Sequence, residues 1–78
     1  MASQGGPAAL VEFIAKAIVT EPDEVEVKVR DDGQLIELET ASDDRGRVIG
    51  RQGRVAKAMR SLITASRDGE DVRLDIVD

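Results

Sequence analysis

The chain has 78 residues, 41% of them apolar, with eleven basic and sixteen acidic side chains and a net charge of −5. That length suits one domain and not two, and the apolar content suits a compact core rather than a disordered chain. With no His, Cys, Trp or Tyr and a single aromatic, Phe13, a disulfide framework, a His- or Cys-based metal site and an imidazole-based triad are all excluded, and neither an enzyme nor a cofactor is expected.

Residues 1–6 carry no positive charge and no apolar run, so they read as a flexible lead and not as a secretory signal. The longest unbroken apolar stretch, Ala8 to Val11, is far short of the roughly 20 residues a spanning helix needs, which argues against a membrane protein. A cytoplasmic location is expected. From Pro7, suited to a first helical turn, the residues Leu10, Phe13, Ile14, Ala17 and Ile18 recur with helical spacing and predict an amphipathic helix. Glu12 and Lys16 sit one turn apart on its outer side, and Thr20-Glu21-Pro22 ends it.

The period then changes to two. Val25, Val27 and Val29 alternate with Glu26, Lys28 and Arg30, predicting a strand with one buried face. Asp31-Asp32-Gly33-Gln34 is hairpin chemistry, with Gly33 able to take positive φ. Ile36 and Leu38 alternate with Glu37 and Glu39 in a returning strand. Ser42 is placed to cap a short helix that Gly46 weakens and Gly50 stops. A second helix is predicted from Arg54 to about Ser66, with Val55, Met59, Leu62 and Ile63 as its apolar stripe and Arg54, Lys57 and Arg60 on nearly the opposite side. After the Asp68-Gly69 break, Val72, Leu74 and Ile76 alternate with Arg73 and Asp75 in a third strand. One domain is expected over residues 7–78.

The charge is strongly divided. Between Arg45 and Arg67 lie seven of the eleven basic residues (Arg45, Arg47, Arg51, Arg54, Lys57, Arg60 and Arg67) and no acidic one. A local field of this kind, rather than the net charge, decides where a polyanion docks. At its centre Gly50-Arg51-Gln52-Gly53 joins two predicted helices, follows Val48-Ile49 and is flanked by Arg47 and Arg54. A lone pair of glycines so spaced is a weak signal, and a plain helix–helix turn would also use one. Here each neighbour has a use in holding phosphate. Glycine lets a sugar-phosphate backbone approach the main chain, the following helix presents its N-terminus, and arginine supplies the attraction.

The run Arg47-Val48-Ile49-Gly50-Arg51-Gln52-Gly53-Arg54 resembles the V-I-G-x-x-G core of KH domains. The order helix, strand, strand, short helix, helix, strand resembles the type II KH fold. The chain is also similar to small bacterial single-KH proteins of the KhpA family in its N-terminal helix, Leu10 to Ala17, and its Pro22-Asp23-Glu24-Val25 run. The similarity covers roughly residues 8 to 77. It implies an α+β fold, α-β-β-α-α-β, with a three-stranded mixed sheet and helices packed on one face. It also implies single-stranded RNA as partner, about four unpaired nucleotides held in a groove, and a role as RNA chaperone or post-transcriptional regulator.

On that resemblance Gly50, Arg51, Gln52 and Gly53 would take the RNA backbone, with Arg47, Arg54 and Lys57 as further phosphate contacts. Val48 and Ile49 would form an apolar floor under the bases, and Ile36 and Leu38 the facing wall, although simple core packing explains all four equally well. A homodimer, or a heterodimer with another small KH protein, is implied by the resemblance alone. No strand carries an aromatic, which sets aside RRM and OB-type stacking platforms. Two rivals stay open: an assembly module on a KH scaffold with vestigial RNA binding, and a DNA reader using Arg54 to Arg67 as a recognition helix.

Overall fold

The computed structural model describes residues 6–65 and 72–77. Helix α1 spans Pro7–Ile18, starting on its proline and ending where Val19 turns extended. A short turn, Pro22–Glu24, leads into strand β1, Glu26–Arg30. The hairpin turn Asp31–Gly33 leads into strand β2, Leu35–Glu39. Gly33 takes positive φ as expected, and Asp31 and Asp32 do so as well. Helix α2, Arg45–Ile49, follows the turn Ser42–Asp44. Helix α3, Arg54–Ala65, follows the turn Arg51–Gly53, and strand β3 is Arg73–Val77. The expected Ser66 terminus, Arg67, the Asp68-Gly69 break, Asp78 and the lead up to Gly5 lie outside the described residues.

The sheet is mixed, in the order β1-β2-β3, with β2 antiparallel to β1 and parallel to β3. Register puts Val27, Leu38 and Ile76 in one row and Val29, Ile36 and Leu74 in the next. These rows share a face, and Ile36, Leu38 and Leu74 on it join Val11, Ala15, Val48, Met59 and Ile63 in one core. The opposite face carries Lys28, Glu37 and Asp75 in a row. Three helices on one face of a three-stranded mixed sheet is the α+β arrangement expected. Among the described residues no helix is long and apolar enough to cross a membrane.

Two expected faces need correction. On α1 the buried positions are Val11 and Ala15, with Ala8, Ile14, Ile18 and Val19 packed beside them. Phe13 is 74% exposed, and Ala17 is exposed as well. The helix is apolar over most of its circumference, so two stripes one residue apart both satisfy the helical period. The sheet accepts the stripe with Ala8, Val11 and Ala15, whose small side chains allow close approach of the helix. On α3 Ala56 joins Met59 and Ile63 in the interior, while Leu62 is 50% exposed at the edge of the stripe.

Ser42 makes no side-chain cap. The carboxylate that organises this region is Asp44, fully buried, which reaches back to the segment after α1. It accepts hydrogen bonds from the Thr20 N–H at 3.0 Å, the Thr20 hydroxyl at 2.9 and 3.1 Å, and the Glu21 N–H at 3.1 Å. The Thr20 N–H bond, joined by the hydroxyl, the Glu21 N–H and the charge of Arg47, holds the Asp44 carboxyl below the usual aspartate range, with burial opposing. The sharp turn before α2 is thereby tied to the end of α1.

Candidate nucleic-acid interface

The bend between α2 and α3 is built on two glycines. Gly50 lies at φ 80°, ψ 169°, a region other residues avoid, and its N–H donates to the Gly46 carbonyl at 2.8 Å. A Cβ placed on Gly50 would meet Val55 Cγ2 at 2.5 Å and the Val55 nitrogen at 2.8 Å. The end of α2 thus abuts the start of α3 with no room for a side chain. Gly53, at φ 73°, closes the turn by donating its N–H to the Gly50 carbonyl at 3.0 Å. Between them Gln52 takes a left-handed conformation at φ 57°.

This geometry leaves Arg51, Gln52 and Arg54 exposed and both glycines half-buried, so the bend stands at the surface. The first N–H groups of α3 have no partners within the helix and carry its positive dipole end toward the bend. Arg54 Nη2 donates to Gln52 Oε1 at 3.3 Å, which links the two side chains at the surface. Arg47 is 58% exposed, with its Nε 3.4 Å from Asp44 Oδ1. Among the described residues neither Arg51 nor Lys57 has a carboxylate within ion-pair distance. Unneutralised cations around a close-approach backbone can hold a phosphate.

The apolar positions separate. Val48 is fully buried in the core, whereas its neighbour Ile49 is 37% exposed beside the bend. Ile36 and Leu38 belong to the central strand and are 1% and 0% exposed, so they cannot wall an open groove. Among the described residues, the strand that borders open space beside α3 is β3. A cleft of about 400 Å3, lined by Arg60, Thr64, Val72, Arg73, Leu74 and Asp75, lies between them, within the size range of small-ligand sites. Arg60 spans it, its Nε and Nη2 donating to the Leu74 carbonyl at 3.3 and 3.2 Å.

Arg54, Lys57 and Arg60 step along α3 three residues apart from the bend, and Arg60, with Thr64, reaches the cleft beside β3. Loop and cleft are therefore the two ends of one surface. Thr64, Val72 and Leu74 were not among the expected site residues. A clue to their placement was in the order of elements: a strand that returns parallel after a helical crossover packs beside the helix that precedes it.

Residues 8–76 match the family described as KhpA/KhpB, KH domain. The chain is 52% identical over 73 residues to the RNA-binding protein KhpA of Halalkalibacterium halodurans, covering 88% of this chain and 96% of that protein. It is 48% identical over 67 residues to the RNA-binding protein KhpA of Leifsonia xyli, covering 83% and 88%. The RNA-binding protein KhpA of Borreliella burgdorferi is 37% identical over the whole of both chains. No solved structure matches.

Proposed function

The chain belongs to the KhpA/KhpB family of KH domains, and on that premise we propose that it binds single-stranded RNA at the Gly50–Gly53 bend, as an RNA chaperone or post-transcriptional regulator in the cytoplasm. The observation that carries this reading is the exposed bend itself, with Arg51 unpaired among the described residues at the N-terminal end of α3. A sugar-phosphate backbone seats against Gly50 and Gly53, its phosphates drawn by Arg51, Arg54 and Lys57 and by the open N–H groups of α3. Arg47 contributes less, since Asp44 holds part of its charge. Ile49 offers apolar contact beside the loop, and the bases run along the α3 flank toward β3.

Replacing both Arg51 and Gln52 with Asp tests this. The two side chains are exposed, so the circular dichroism spectrum stays unchanged while affinity for a single-stranded RNA octamer, followed by fluorescence anisotropy, is lost. Unchanged affinity in a folded variant refutes the reading.

A second reading, protein–protein assembly as a homodimer or with another small KH protein, has one observation in its favour. Phe13, the chain's only aromatic, is 74% exposed on α1, and aromatic side chains are enriched at interfaces. A second copy would also supply a second RNA site and raise avidity. Light scattering on the wild type and on Phe13→Ser decides it: the wild type has the mass of a dimer and the variant that of a monomer, whereas a monomeric wild type removes the homodimer.

A further inference from the structure

We infer that Arg60 determines base specificity: fixed on the Leu74 carbonyl, its guanidinium selects a base that offers two adjacent hydrogen-bond acceptors. This rests on the RNA-binding reading above and names what the cleft between α3 and β3 would take.

The position of Leu74 makes the arrangement possible. Arg73 donates its N–H to the Gln34 carbonyl on the β2 side at 2.8 Å. Successive residues of a strand direct their backbone groups to alternate sides, so the Leu74 carbonyl points to the free edge of β3. Arg60 covers that carbonyl with Nε and Nη2 together. A guanidinium has five N–H donors in a rigid plane. Using the Nε and Nη2 edge on Leu74 leaves the Nη1 and Nη2 edge to present a second pair of parallel donors.

Two consequences follow for a base in the cleft. The edge carbonyl that could accept an exocyclic amine is already occupied, and the polar groups Arg60 offers are donors. Guanine matches that fork with O6 and N7, and cytosine matches it with N3 and O2. Adenine sets its N6 amine beside N7, and uracil sets its N3–H beside O4, so each would put a donor against a donor. An unpaired donor in a closed contact is costly. A base fits this position better than a phosphate does, because partly buried Val72 lines the cleft with Arg60 and offers apolar contact. The contact to Leu74 also separates Arg60 from Arg51, Arg54 and Lys57, none of which donates to the backbone of a strand.

The test uses the full chain and four uridine octamers carrying G, C, A or U at one central position, titrated by anisotropy. The G and C octamers bind about 5- to 10-fold tighter than the A and U octamers, the lower end of what a bidentate base contact gives. Arg60→Lys keeps the charge and removes the fork, and it brings the G and C octamers down to the level of the all-uridine one. Arg51→Asp, in contrast, weakens all four together. Equal affinities in the wild type, or a preference that survives in Arg60→Lys, overturn the inference and leave RNA binding standing. Failure of every octamer to bind overturns the RNA-binding reading and this inference with it.

Discussion

Gly50 and Val55 are packed so closely that no side chain fits between them: a Cβ on Gly50 would fall 2.5 Å from Val55 Cγ2 and 2.8 Å from the Val55 nitrogen. This contact sets where α3 begins relative to α2, and with it the direction in which Arg51 and Gln52 leave the surface. At Gly53 the φ is also positive, 73°, but a Cβ there would meet nothing within 4 Å.

The two glycines therefore respond differently to substitution. Gly50→Ala carries the backbone strain of about 1–3 kcal/mol and a clash with Val55 that backbone must yield to, so a fall in Tm on the order of 10 °C is expected. Gly53→Ala carries only the left-handed penalty of roughly 1–2 kcal/mol. Thermal melts of the two variants should differ clearly, and equal melts would mean that the Gly50–Val55 contact relaxes freely.

Salt dependence counts the phosphates. Arg51, Arg54 and Lys57 give three contacts in the proposed mode, and a single strand contributes about 0.7 per contact, so log K against log salt should fall with a slope of about −2. Arg51→Ala should flatten that slope by about 0.7. A slope untouched by the substitution would remove Arg51 from the phosphate contacts.

Asp44 makes the fold sensitive to acid in a defined window. Its folded carboxyl titrates below the ordinary aspartate range, chiefly through the Thr20 N–H bond. The unfolded chain then binds the proton more readily, and stability rises with pH through that window. The contribution is complete above about pH 4, the unfolded value, and is lost as pH falls toward and through the lower folded value. Asp44→Asn removes the charge and sets an amide among three N–H and O–H donors. A Tm roughly 5–15 °C lower at neutral pH is expected, with a shallower loss than wild type as pH falls below about 4. Parallel acid profiles for the two proteins would show that Asp44 does not carry this dependence.

Adjacent residues on α3 separate core from surface. Ile63 is 1% exposed and Leu62 is 50% exposed. Ile63→Ala should cost about 2–4 kcal/mol, the transfer of the lost methyl groups plus the cavity they leave. Leu62→Ala should cost less than about 1 kcal/mol. Urea denaturation of both variants measures the difference, and similar losses would mean that Leu62 is covered in solution.

From residue order alone came the elements, the α+β layout, the glycine bend and the arginines around it, because periodicity, turn chemistry and charge spacing are local properties. The inward face of α1 was beyond that reach: two stripes meet the same helical period, and only packing against the sheet turns Val11 and Ala15 inward and Phe13 outward. The same holds for the wall beside α3. Ile36, Leu38 and Leu74 all alternate as strand residues, yet strand order makes β2 central and β3 the open edge, so only Leu74 brings a free carbonyl within reach of Arg60. Strand order is decided by which elements bury which surfaces together, a property of the whole chain that no window of sequence contains.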